Sequence, residues 1–386
     1  MQTVFTAERL WDGQRVIHRP MVFAEDGRIL TIKSRDTSEI PAGLQVRDFG
    51  AATLGPAFFD VHIHGSAGHD VMEATPDALQ SIGGFLASHG TGAYLATTVT
   101  AAFDTTLNSL EKLAKLIRRG PDGPQAWPIG IHLEGPFLSH EKRGVHPPSL
   151  LQAPDIAVFD RMFEAADGQA RLMTLAPELP GAIDLIRHAT TRGVRVSLGH
   201  SNATSAETRM AIAAGATSAT HTYNAMRALD HREPGILGTV LTADELYAEL
   251  ICDGIHNMPE MVRLWWKTKG PERALLVTDA MSAAGMPDGE YQLGDFAVKL
   301  ENGRAMANGV LAGSVLTLDD ALHNLMKFTG ASVEDGLRAL TANPAAVVGC
   351  DDQVGSLAVG QPANLVAINS TGKMVASIHA GMVLTG

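Results

Sequence analysis

Residues 55–65 read GPAFFDVHIHG, an apolar run that ends in two histidines, His62 and His64, at alternating positions. In an extended strand, residues two apart face the same side, so both imidazoles enter one volume. The segment reads as a buried strand. Its two rings suit either a pair of packed core histidines or two arms of a metal site.

Working outward, similar short apolar runs recur: GAYLATTVT (92–100), WPIGIHLEG (127–135), ARLMTLAPE (170–178), VRVSLGHS (194–201), ATSATHTYN (216–224), YAELICDG (247–254) and RALLVTDA (273–280). Between most of them lie stretches with apolar residues at helical spacing: Thr75–His89, Thr105–Arg118, Gly181–Arg192, Ser205–Ala214 and Pro259–Lys269. Eight strand candidates alternating with helices predict an α/β fold, a (β/α)8 TIM-type barrel over residues 55–344. A doubly wound open sheet is disfavoured because no glycine-rich phosphate loop follows the first strand. Gly289–Gly309 interrupts the alternation as a β-hairpin, and helices resume over Thr317–Phe328 and Ser332–Ala342. The chain ends, residues 1–54 and 345–386, read as short strands with turns at Asp12–Gly13, Asp26–Gly27, Gly372 and Gly381. They predict one small discontinuous β-sandwich domain beside the barrel.

The chain has 386 residues, 45% of them apolar and 19% charged, which suits a globular enzyme with a large core. A net charge of −12 argues against nucleic acid or an anionic membrane as partner. The two cysteines, Cys252 and Cys350, fit reduced thiols in a cytoplasmic protein better than a disulfide framework. The first residues lack the basic and apolar regions of a signal peptide, and no apolar run approaches the roughly 20 residues of a membrane span. The expected location is the cytoplasm.

In such a barrel, chemistry sits at the C-terminal ends of the strands. Those ends carry His62 and His64, Glu134, His200, His221, Asp253 and His256, and Asp279. A single histidine at a strand end is ordinarily a hydrogen-bonded structural residue, and a lone Asp is often a helix cap. Four histidines, a glutamate and an aspartate on one rim are instead the neutral imidazoles and carboxylates that a divalent cation takes. The lack of cysteine in the set favours a catalytic site over a structural zinc site. Asp279, on the last strand and beside the first once the barrel closes, is positioned to move a proton for a water activated by the metal.

These motifs resemble the amidohydrolase superfamily and, within it, the N-acetylglucosamine-6-phosphate deacetylase family. The resemblance rests on GPAFFDVHIHG (55–65), HLEGPF (132–137), GVHP (144–147), LGHS (198–201), HTYNAM (221–226), REPG (232–235), DGIH (253–256), VTDAM (277–281) and LAGS (311–314). It implies metal-dependent hydrolysis of the N-acetyl amide of a hexosamine 6-phosphate, with Glu134, His200 and His221 as principal metal ligands. His62 and His64 match a second metal position found in part of the family. One or two ions are expected, zinc first, with iron, manganese or cobalt as alternatives. Asp279 matches the catalytic acid/base, and His146 is the proposed oxyanion donor. Val145, His146, Asn224, Ala225, Arg232, Asp253, His256, Leu311, Ala312 and Gly313 match substrate-binding positions. The family also implies a homodimer. Deacetylation of the galacto sugar, or another amidohydrolase reaction on a cyclic amide or an amine, is the alternative. The lack of a lysine in ARLMTLAPE weighs against the cyclic-amide hydrolases.

Overall fold

The computed structural model describes residues 2–385. Eight strands follow one another in chain order within one parallel sheet: β1 (Phe58–Ile63), β2 (Thr91–Thr98), β3 (Trp127–Glu134), β4 (Ala170–Leu175), β5 (Arg195–Leu198), β6 (Ser218–Ala219), β7 (Tyr247–Ile251) and β8 (Ala274–Val277). The sheet closes just beyond β8. The Asp279 N–H donates to the His62 carbonyl at 2.8 Å, the His64 N–H donates to the Ala280 carbonyl at 2.8 Å, and Ile63 bridges Ala280. Every residue of β1 and β8 is buried, as expected for strands covered by helices outside and by one another's side chains inside.

The outer helices begin where their caps dictate. Thr75 accepts the Ala78 N–H ahead of α1 (Pro76–Ser88), whose first residue is proline. Thr204 and Glu207 form a reciprocal capping box on α5 (Ser205–Ala214). The other barrel helices are α2 (Phe103–Arg119), α3 (Ile156–Ala165), α4 (Ala182–Thr191), α6 (Gly235–Thr242), α7 (Pro259–Arg273) and α8 (Leu318–Thr329). Of these, α3 and α6 were not anticipated. The α6 sequence GILGTVLT buries nearly every residue, so it has no polar face to reveal a 3.6-residue period. The continuous helical backbone of α7 stops at the expected Lys269, because Gly270 is non-helical (φ 60°, ψ 179°) and Pro271 opens a separate last turn; the Lys269 ammonium donates to the Val240 and Ala243 carbonyls at the end of α6.

Two further departures bear on the site. The sixth strand is only two residues long, because His221 and Tyr223 adopt positive φ (28° and 79°) and turn the chain away. The expected hairpin at Gly289–Gly309 is a four-stranded antiparallel meander: Gly289–Leu293, Phe296–Glu301, Arg304–Ala307 and Val310–Leu311. Its two extra turns are the Asn–Gly pairs 302–303 and 308–309, with all four φ positive. The meander packs Leu293, Val298 and Leu300 against Val99 and Met281 at the barrel mouth.

The N-terminal strands form one four-stranded sheet of their own, and the two chain ends meet in a second, six-stranded sheet. Leu365–Ile368 pairs antiparallel with Thr53–Pro56, which joins the C-terminal strands to the N-terminal ones. Phe5, Leu10, Val22, Leu54, Leu365 and Ile378 form their shared apolar cluster, away from the barrel mouth. Among the described residues no helix is long and apolar enough to cross a membrane.

Candidate metal centre and active-site cleft

Glu134, the last residue of β3, lies at the centre of a ring of imidazoles. Its Oε1 is 3.4 Å from His62 Nε2 and 3.3 Å from the Nε2 atoms of both His200 and His221. Its Oε2 is 3.3 Å from His64 Nε2 and 3.6 Å from His146 Nε2. Asp279, just past β8, brings Oδ1 to 3.2 Å from His64 Nε2 and 3.6 Å from His62 Nε2. The side chains sort into two compact triads, His62–His64–Asp279 and Glu134–His200–His221, each with its ligand atoms within 4.8 Å of one another. His200, His221 and Asp279 have φ of 48°, 28° and 48°. Left-handed backbone costs a non-glycine residue about 1 kcal/mol or more, and such strain concentrates where function fixes a side chain.

The hydrogen bonds assign the tautomers. Nδ1 of His62 meets the Glu249 carboxylate at 3.1 Å, Nδ1 of His64 meets the Thr97 carbonyl at 3.0 Å, and Nδ1 of His200 meets the Lys142 carbonyl at 2.9 Å. These groups only accept, so each Nδ1 carries a proton and each ring aims its Nε2 at Glu134, which makes Nε2 the nitrogen available to a cation. His62 Nε2 is buried without a hydrogen-bond partner, and the Nε2 atoms of His200 and His221 lie 3.0 Å apart. Imidazole nitrogens gathered this closely around two carboxylates, with no sulfur among them, fit a divalent cation in a nitrogen–oxygen site.

The electrostatics agree. Burial drives His200 down to about 4 against the pull of Glu134. Burial acts the same way on His64, but Asp279 and Glu134 outweigh it and lift the ring to about 9. Burial works to raise Asp279, yet His62 and His64 hold it down to about 2. Glu134 is likewise held well below the usual carboxylate range, against its burial, chiefly by His62. The carboxylates stay ionised and set up a negative field that draws positive charge.

A cavity of about 290 Å³ opens on this cluster. His64, Glu134, His200, His221 and Asp279 line it, together with Val145, His146, Asn224, Ala225, His256, Leu311 and Gly313 from the expected substrate set. Asp279 is the most open of the six ligand candidates, with 13% of its side chain exposed, whereas His62 lies beneath at 0%. Three expected substrate residues are not in the lining. Asp253 stands behind His256, with its Oδ2 2.6 Å from Nδ1. Ala312 is buried in the meander core. Arg232 is exposed on the loop before α6, its N–H held by Asp230.

Several residues at the site were not anticipated. Glu249, fully buried in β7, receives both His62 Nδ1 and the His221 N–H at 3.1 Å. Thr100 donates its N–H toward His146 Nδ1 at 3.4 Å and sets its hydroxyl 2.9 Å from the same atom, which leaves the His146 proton on Nε2. Val99, Glu141, Lys142, Gly144, Leu293 and Val310 complete the lining. Only Glu249 carried a sequence signal, a carboxylate inside the apolar run YAELI.

Comparison with known proteins supplies context for this geometry. The amidohydrolase family profile matches residues 53–385. An N-acetylgalactosamine-6-phosphate deacetylase of Escherichia coli O157:H7 is 40% identical over 371 residues, 96% of each chain. An N-acetylglucosamine-6-phosphate deacetylase of Vibrio furnissii is 36% identical over 368 residues, 95% of this chain and 91% of that one. A mutant N-acetyl-D-glucosamine-6-phosphate deacetylase from Mycobacterium smegmatis, solved with N-acetyl-D-glucosamine-6-phosphate, superposes over the whole of both chains with a TM-score of 0.92 and 33% identity.

Proposed function

The chain belongs to the amidohydrolase family, and from that premise we propose that it hydrolyses the N-acetyl amide of N-acetylglucosamine 6-phosphate to glucosamine 6-phosphate and acetate. The observation that carries this reading is the convergence of six ligand candidates, with Glu134 at their centre, at the mouth of a cavity. Glu134, His200 and His221 would hold the principal divalent ion, zinc in the first instance, and His62, His64 and Asp279 a second. Such an ion polarises an amide carbonyl and acidifies an attacking water.

The remaining work falls to the chain. Asp279 is ionised and faces the cavity, so it takes the proton of the attacking water and returns it to the departing amine. An amine leaves an amide poorly until it is protonated, which makes that second transfer essential. His146 presents Nε2–H beside Glu134 and donates to the oxyanion that forms at the amide carbon. His256, braced by Asp253, binds the sugar with Asn224, Ala225 and the Leu311–Gly313 segment.

Lys142 is the one lysine or arginine among the described residues of the lining, a small cationic complement for a phosphate beside an acidic cluster. Arg232 offers the forked donor that phosphate favours, but on the exposed side of its loop. In a homodimer, Arg232 of one copy would serve the cleft of the other. A second reading, the galacto epimer as substrate, is favoured by the 40% identity to the Escherichia coli O157:H7 deacetylase. Comparing kcat/KM for both 6-phosphates and for unphosphorylated N-acetylglucosamine tests the assignment. The proposal expects the gluco 6-phosphate to be best and the unphosphorylated sugar worst. A clear galacto preference would move the assignment to the second reading, and no acetate from any of the three would remove the reaction.

A further inference from the structure

The two triads are not backed alike. His200 leans on a neutral carbonyl, that of Lys142, and His64 on another, that of Thr97. His62 alone leans on a carboxylate, that of Glu249. The same Glu249 Oε2 also receives the His221 N–H, so one carboxylate touches a member of each triad. Its other oxygen, Oε1, is buried with no hydrogen-bond partner among the described residues.

Burying a carboxylate with half its hydrogen-bonding capacity unused is costly, and an apolar side chain would fill a barrel core at less cost. That cost is offset only if the charge is needed. Glu134, Glu249 and Asp279 together put three carboxylates in contact with these imidazoles. One dication leaves that cluster with excess negative charge, which a second overcomes. A carboxylate on the far nitrogen of an imidazole also fixes its tautomer and makes its free nitrogen a better ligand.

We propose that Glu249 is the positioning residue that retains a second divalent ion at His62–His64–Asp279, by holding His62 Nδ1 protonated and supplying the third negative charge of the centre. The inference rests on the metal-dependent reading above and deepens it. It makes two-ion occupancy a property of β7 as well as of the HIH stretch.

The test counts ions rather than turnover. Wild type, E249Q and H62Q are stripped with chelator and titrated with zinc against a chromophoric competitor, and the bound metal is measured by elemental analysis. The amide oxygen introduced by E249Q can still accept both hydrogen bonds, so this variant removes the charge and keeps the shape. The expected result is two ions in wild type, one in H62Q, and an E249Q whose first ion is unchanged while its second binds about 10- to 100-fold more weakly. Metal-free E249Q should melt no lower than metal-free wild type, since a buried charge has been removed; a lower melting point assigns Glu249 a purely structural role and overturns the proposal. A second ion bound equally well by E249Q overturns the proposal and leaves the metal reading standing, whereas a wild type that takes up no zinc overturns both.

Discussion

His64 at the barrel mouth and His379 in the sheet of the chain ends are almost equally shut away from water, at 2% and 1% exposure, yet they hold protons in opposite ways. Burial lowers both. Neither ring nitrogen of His379 finds a well-formed hydrogen bond, the Ala87 carbonyl opposes burial only in part, and the ring falls to about 4. His64 meets Asp279 and Glu134, and the same burial is overridden, to about 9. A buried imidazole is thus an apolar filler in one region and a cation-seeking ligand in the other. The difference lies in the carboxylates brought beside it.

The largest effect should come from removing the carboxylate that works the cleft. Asp279→Asn should lower kcat by about 10²- to 10⁴-fold while the principal ion stays bound, checked by acetate release alongside metal analysis. A near-normal rate would take the proton transfers away from Asp279. Next is the ion itself. Calorimetry of stripped and reloaded protein should show about 3–4 kcal/mol of stabilisation at zinc concentrations 100 to 1,000 times the dissociation constant, and no such gain in a variant lacking His200 and His221.

The chain-end region should answer to pH instead. The unfolded chain takes up a proton at His379 near the ordinary histidine value of 6.5, whereas the folded chain does so only near 4. Stability is therefore full above pH 6.5 and is lost as pH falls toward 4, by at most about 3 kcal/mol. In His379→Leu that part of the acid slope should vanish, measured by urea unfolding between pH 4 and 7, with acetate release at neutral pH unaltered. The smallest effect is expected at the Asp26–Gly27 turn, where Gly27 has φ of 78° and an added Cβ would lie 3.2 Å from Ala380. Gly27→Ala should cost about 1 to 2 kcal/mol of stability and leave turnover intact. A loss of turnover there would mean that the chain-end sheets do more than support the barrel.

What could be read in advance follows the same division. The alternation of short apolar runs with capped helices foretells the barrel, because burial on both faces and cap chemistry are local properties. The six ligand candidates were legible because each ends a strand, and strand ends share a rim. Glu249 stands out in YAELI as a carboxylate in an apolar run, but its role was not legible, because that depends on β7 lying beside β6 and within reach of β1, a relation made by closure. Helix α6 escaped for lack of a polar face. The meander was underestimated because its Asn–Gly pairs at 302–303 and 308–309 were not counted as turns. Arg232 was assigned by motif alone, and it stands exposed on its loop, outside the lining of the cavity.

The central claim is that the carboxylates at the barrel mouth exist to hold a divalent ion that acts on an acetamide. It is tested most directly by following acetate from N-acetylglucosamine 6-phosphate with metal-stripped protein, then adding zinc back to the same sample. The account predicts negligible release before the addition and recovery in proportion to the ion bound. Equal release before and after, with metal verified absent at the start, would contradict it.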